Sequence, residues 1–417
     1  MNIYLIFILT IIIGSYLLDL IIDKFNLLYI KTDLPDEFKG YYDAERYKKS
    51  QKYLQETTQF TFITHTVSTS ITVAFIVVGG FNLVDRIARD FGFGDIITGM
   101  IFVGTLLLAS SIIHLPFSVY STFVIEEKYG FNRTTVKTFI LDILKSGLLT
   151  ALIGGSIFSV VLWFFGKTGD WAWIYCWGTV TLFQVFLLFI APVAIMPLFN
   201  KFVPMEQSEL KTAIENYADD QNFKMKGIFT MDGSKRSSKS NAFFTGFGKF
   251  RRIALFDTLI EKHTTDELVC IVAHEIGHYK KKHIIKHLII SIITSGIMFF
   301  ILSRFINNGE LFSAFQMEKT SIYASLLFFG FLYVPIDMVI SIFSKMLSRK
   351  NEYEADQFAV LTLEKPDAMI LSLKKLSVDN LSNLTPHPYK VFFTYSHPPV
   401  LDRINKIRSI QLKNETP

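Results

Sequence analysis

Long apolar runs alternate along the chain with short charged gaps, apart from one extended polar segment between Lys201 and Lys286 and a polar tail after Leu347. A helix of about 20 apolar residues crosses a hydrocarbon core of roughly 30 Å. Seven runs meet that length: Ile3 to Ile22, Phe60 to Gly80, Ile97 to Leu115, Leu148 to Gly166, Trp171 to Phe199, His287 to Ile306 and Ser321 to Leu347. The polar segment changes period. Gln207 to Gln221 places Leu210, Ala213, Ile214 and Tyr217 at helical spacing. Three β-prone runs follow, Gly227 to Met231, Asn241 to Phe247 and Arg252 to Phe256, broken by Asp232-Gly233-Ser234 and Gly246-Phe247-Gly248, so a small sheet is expected. Thr264 and Glu267 have the form of a capping box, which predicts a helix starting there and continuing through the sixth span.

Composition agrees with a membrane protein. Of 417 residues, 50 % are hydrophobic, 15 % aromatic and 19 % charged, too apolar for a soluble enzyme or a disordered chain. Cys176 and Cys270 are the only cysteines, which excludes a disulfide framework and a thiolate zinc site. No small-residue cleavage site follows the first span, so a retained anchor is expected. The net charge of +5 gains meaning once placed. The first and third connections hold ten Lys and Arg residues and the second, fourth and sixth hold five, which predicts an outside N-terminus with the long polar segment and the C-terminus in the cytoplasm. An Ile, Lys and Phe bias points to a bacterial inner membrane. His65, Thr66, Ser68, Thr69, Ser70, His114 and Gln184 fall inside spans, where polar groups face a wet interior or bond helix to helix. The basic Lys235 to Lys239 stretch reads as a solvated loop, with a lipid-headgroup role as the alternative.

The strongest chemical signal is His274-Glu275-Ile276-Gly277-His278. At about 100° per residue the two histidines stack on one helical face and can grip one zinc ion, with Glu275 beside them to deprotonate water. A third histidine six residues beyond His278 is absent, since Ile284 stands there. The extension of the seventh run offers Glu352 and Asp356 on one face, a ligand and a carboxylate to orient an imidazole, with Glu354 on the opposite face. The competing reading is a solvated acidic turn with Glu352 paired to Arg349. On a continuous helix His283 and His287 point away from the metal and, with Lys280 to Lys282, mark the membrane interface. Cys270, one turn before His274, reads as a packed thiol.

These residues resemble the integral-membrane zinc metalloproteases of the type I CAAX prenyl protease family. The likeness extends over nearly the whole chain, through Glu126-Glu127-Lys128-Tyr129-Gly130-Phe131-Asn132-Arg133, Pro197-Leu198-Phe199-Asn200, Ser240-Asn241-Ala242-Phe243-Phe244, Phe256-Asp257-Thr258-Leu259, Asn351-Glu352-Tyr353, Ala355-Asp356 and Ser396-His397-Pro398-Pro399. The resemblance implies a mainly α polytopic fold of seven transmembrane helices enclosing an aqueous chamber, and a small cytoplasmic metalloprotease part with a short sheet. It implies His274, His278 and Glu352 as ligands of one Zn2+ per chain, Glu275 as base and His397 near the reacting carbonyl. Asn241, Ala242, Phe243 and Phe244 would form the edge strand that pairs with substrate. The chain then divides into a five-span membrane domain, 1–199, and a metallopeptidase domain, 200–417, that includes the last two spans. No retention signal is evident before Pro417, so a eukaryotic address is not expected.

The expected reaction is zinc-assisted peptide hydrolysis near the C-terminus of prenylated or membrane-associated peptides. The expected partners are peptide or lipidated-peptide substrate and membrane lipid, with no nucleic acid. Clearance of misfolded membrane peptides by the same chemistry is the alternative. A transporter with a structural zinc site would need a fourth protein ligand, and none is evident.

Overall fold

The computed structural model describes residues 2–245 and 251–415. Its helices and strands follow the hydrophobic pattern closely. Among the described residues, seven helices are long and apolar enough to cross a membrane: Ile3–Leu28, Ala44–Val77, Asp95–Tyr129, Val136–Lys167, Gly169–Phe199, His283–Ser303 and Ile322–Leu363. Several exceed the expected runs at the ends that reach the aqueous part. The second begins at Ala44, capped by the Asp43 side chain, because Ala44 to Gln59 is polar helix standing outside the hydrocarbon. At 1.5 Å per residue the 42-residue seventh helix is about twice the bilayer's hydrocarbon thickness, so its second half rises into the aqueous part.

The spans do not form a solid bundle. Their apolar windows are at most 17 % buried within the protein, as a loose enclosure requires. Some of the polar positions inside them bond helix to helix: Ser68 with His114 at 3.4 Å, and Gln184 with Ser291. Three helices also carry π turns, at Ser121–Glu126, Thr150–Gly154 and Ala191–Ile195.

The aqueous part contains the expected sheet. Strands β2 (Gly227–Met231) and β4 (Arg252–Phe256) lie parallel at its centre. A short strand not anticipated from the pattern, β1 (Phe202–Pro204), adds to β2, and its Pro204 suits an edge. On the other side β3 (Ala242–Thr245) pairs antiparallel with β4, giving the order β1-β2-β4-β3. Asn241 precedes β3 directly, and the expected extension through Phe247, with its Gly246-Phe247-Gly248 turn, lies outside the described residues.

Against the sheet packs the helix Thr265–Lys280, hereafter the motif helix. Thr264 accepts from the Glu267 amide while the Glu267 carboxylate accepts from the Thr264 amide, completing the capping box. Leu268, Val272, Ala273 and Ile276 bury against Ile228, Ile253 and Leu255 of the sheet and Ile214 of the helix Glu209–Asp220. Leu268, Val272 and Ile276 each contribute about 1.5–3 kcal/mol of burial, which makes this helix a rigid support. It does not run on through the sixth span as expected. Lys282 adopts φ +57, and a new helix starts at His283.

Candidate metal centre

The motif helix meets the second, aqueous half of the seventh helix at Gly277. A Cβ there would lie 3.1 Å from the Ala355 backbone and 3.2 Å from Phe358, so glycine lets the two helices approach this closely. That approach brings His274 and His278 opposite Glu352. The two Nε2 atoms are 3.0 Å apart, and they lie 3.4 and 3.3 Å from the Glu352 carboxylate oxygens.

The donor set fits a metal ion. One ligand atom from each residue lies within 4.8 Å of the others. Asp356 Oδ1 accepts from His274 Nδ1 at 2.8 Å, which fixes the proton there and leaves the Nε2 lone pair for a cation. Glu352 Oε2 is buried without a hydrogen-bond partner. A buried carboxylate oxygen left unpaired is costly, and a cation between the three side chains would satisfy it. Among the described residues no fourth His, Cys, Asp or Glu joins the cluster.

Asp356 is fully buried and held by a bidentate pair from Arg403, at 2.7 and 2.6 Å. Arg403 also lies 3.7 Å from Glu352. It was not anticipated, although one signal was present. Val400, Arg403, Ile404 and Ile407 share a helical face, so a cation stood in an apolar stripe and needed a buried partner. Arg349 does not pair with Glu352; it donates to the carbonyls of Val391 and Tyr395, in the segment leading to His397. His397 is exposed and brings its Nε2 to 3.4 Å from Glu352 Oε1.

Glu275 is the hinge of two cavities. One, of about 500 Å³, is lined by Asn241, Ala242, His274, Glu275, Glu352 and His397. The other, of about 490 Å³, opens toward the spans and is lined by Phe244, Glu275, His278, His283, Gln184 and Ser291. Burial pushes the Glu275 carboxyl above its ordinary range and the Glu352 charge adds to this, against the neighbouring histidines and Arg403. A carboxylate raised toward neutrality is a better general base near pH 7. The edge strand β3 thus passes both cavities, with Asn241, Ala242 and Phe244 lining them, while Phe243 stacks edge-on against Phe256.

Neither His283 nor His287 joins the ligand cluster, as expected, but the break at Lys282 overturns the expectation that His283 points away from His278. His283 does not mark the membrane interface but turns back, its Nδ1 2.9 Å from His278 Nδ1. His287 lies 3.1 Å from the Asn351 amide, beside Glu352. Cys270, in contrast, is a packed thiol as expected, pushed up to about 12 by burial.

Seven membrane helices joined to an aqueous His-Glu-His motif and a carboxylate from a second helix define a polytopic membrane metalloprotease. Comparison with known proteins narrows this class. Residues 24–201 match the family "CAAX prenyl protease N-terminal, five membrane helices", and residues 204–411 match peptidase family M48. The chain is 34 % identical to the probable CAAX prenyl protease 1 of Schizosaccharomyces pombe, over 96 % of this chain and 88 % of that one. It is 32 % identical to the CAAX prenyl protease 1 homolog of Homo sapiens, over 91 % and 90 %. The crystal structure of S. mikatae Ste24p superposes with a TM-score of 0.92 at 31 % identity, covering 97 % of this chain and 99 % of that one. The chain belongs to the CAAX prenyl protease family of M48 metallopeptidases.

Proposed function

We propose that His274, His278 and Glu352 hold a single zinc ion, that Glu275 is the general base, and that a substrate peptide lies along β3. The observation that carries this reading is the convergence of two imidazole Nε2 atoms and an orphaned carboxylate oxygen beside Glu275, where two cavities meet under a sheet edge. When bound, the zinc ion supplies Lewis acidity toward water and the scissile carbonyl. Asp356 and Arg403 orient His274 as a ligand. Glu275 takes a proton from the attacking water and returns it to the leaving amine. His397 Nε2 donates to the oxygen of the scissile carbonyl as charge develops there. Backbone groups of Asn241 to Phe244 pair with the peptide as an added strand.

Zinc content and peptide hydrolysis measured together test this. Wild type and Glu275→Gln should each carry one zinc per chain, with turnover lowered by about 10²–10⁴-fold in the variant. Full activity in Glu275→Gln overturns the base assignment, and a protein without zinc overturns the ligand set.

The proposed substrates are prenylated or membrane-associated peptides cut near the C-terminus, in keeping with the names of the relatives. A farnesylated CAAX peptide should then be cleaved with higher kcat/KM than its unlipidated form. Equal values would favour broad clearance of membrane peptides, which strand pairing through the backbone also allows. The proposed division at 199/200 has the support of the two matched segments, 24–201 and 204–411, whose boundary falls a few residues beyond it. We further propose an outside N-terminus and a cytoplasmic metal centre. The proposed bacterial inner membrane rests on the Ile, Lys and Phe bias alone; the relatives compared above are eukaryotic.

A further inference from the structure

We propose that His283 and Glu354 are positioning residues that brace the metal ligand His278, as Asp356 and Arg403 brace His274. The inference rests on the zinc-site reading above. His278 Nδ1 lies 2.9 Å from His283 Nδ1, and His283 Nε2 lies 3.1 Å from Glu354 Oε2. With His278 Nε2 turned to the metal, its Nδ1–H donates to His283 Nδ1, and His283 Nε2–H donates to Glu354. Each nitrogen of the chain then has one role. Glu354 in turn faces Lys286 at 3.4 Å and Lys350 at 3.9 Å.

Three features set this apart from a satisfied core histidine. The backbone departs from a helix to build it: Lys282, which is not glycine, holds φ +57, a conformation costing roughly 1–2 kcal/mol. An unbroken helix would carry His283 to the far side of the axis from His278, and the break returns it. The His283 side chain is 3 % exposed and both ring nitrogens are engaged, so its whole hydrogen-bonding capacity goes to His278 and Glu354. Finally, Glu354 and Asp356 are two residues apart on the seventh helix and so point about 200° apart, which allows one helix to brace two imidazoles from opposite sides.

The test measures zinc affinity of the full-length detergent-solubilised protein by chelator competition, with thermal unfolding as a separate readout. Loss of an outer partner of a metal-bound histidine costs about 10–100-fold in affinity. His283→Leu should show that loss, whereas His283→Asn, which keeps an acceptor near the Nδ1 position, should recover most of it. Glu354→Leu should weaken zinc several-fold, while Lys286→Met and Lys350→Met leave it within twofold. His283→Leu that folds and binds zinc within twofold of wild type overturns the brace. If His283→Leu does not fold, unchanged affinity in Glu354→Leu overturns it instead. The ligand set stands or falls separately: zinc retained by His278→Ala, or none in wild type, defeats that reading, whereas wild-type binding lost in His278→Ala but unchanged in the brace variants defeats only the brace.

Discussion

Arg403 and Glu37 are partly buried ion-pair residues whose replacement predicts a measurable cost. Arg403→Lys keeps the charge but loses the planar fork that meets both Asp356 oxygens. With Asp356 fully buried, the cost should be about 2–3 kcal/mol, read as a lowered thermal midpoint. Glu37 joins Lys374, at 2.6 Å, to Arg408, also at 2.6 Å. Burial opposes its ionisation, yet the two cations prevail and hold its carboxyl below the ordinary 4.5. A depressed carboxyl stabilises fully above its unfolded value and loses that contribution as pH falls through the lower folded value. Glu37→Gln should therefore be less stable than wild type at neutral pH, by about 1–3 kcal/mol, with the gap closing below pH 4.5. Unfolding in denaturant across that range checks both parts. At this scale the sequence disclosed what helical spacing alone can place: His274 with His278, and Glu352 with Asp356. It did not disclose which side chains arrive from elsewhere. Arg403 comes from a helix 129 positions after His274, and Glu37 meets Lys374 only through the tertiary fold.

Among the elements, the crossing at Gly277 predicts the clearest effect. Gly277→Ala would push the motif helix away from Ala355 by a few tenths of an ångström, because backbone atoms 3.1 Å from the new Cβ cannot swing aside as a side chain could. His274 and His278 ride on one helix and Glu352 on the other, so the ligands separate. Zinc affinity should fall at least tenfold with little loss of helix content, measured by chelator competition and circular dichroism. At the cap, Thr264→Ala should cost about 1 kcal/mol of stability and leave the affinity nearly unchanged. Periodicity made the elements legible where an apolar face repeats: β2 and β4 begin and end as expected, and all seven spans are present. Hydropathy senses only the hydrocarbon layer, so it missed the polar first half of the second helix. No pattern marks the turn at Lys282, since no glycine or proline stands at or beside it. That one residue redirected His283, and with it the reading of the histidine pair.

For the whole molecule, the cores show which connections share a side. Phe38, Tyr42 and Tyr47 from the first connection and Ile125, Tyr129 and Phe131 near the third share one hydrophobic core with Cys270, Ile370, Leu373 and Ile404 of the aqueous part. The first and third connections, which together carry the Lys and Arg excess over the second, fourth and sixth, therefore lie on the same side as the metal centre. At the opposite end Phe81 and Ala88 from the second connection join Leu311, Phe312 and Phe315 from the sixth in a separate core. Sidedness within the protein is thus fixed by packing, and only the choice of compartment rests on the charge bias. Both native cysteines are buried, so a thiol added to the surface can be read against a quiet background. Arg86, with a side chain 64 % exposed, marks one side, and Glu261, exposed at the end of the short helix Asp257–Ile260, marks the other. In spheroplasts, a membrane-impermeant maleimide should label Arg86→Cys at once and Glu261→Cys only after lysis. The reverse pattern would put the metal centre outside, and the substrates would then have to be peptides presented at the outer face.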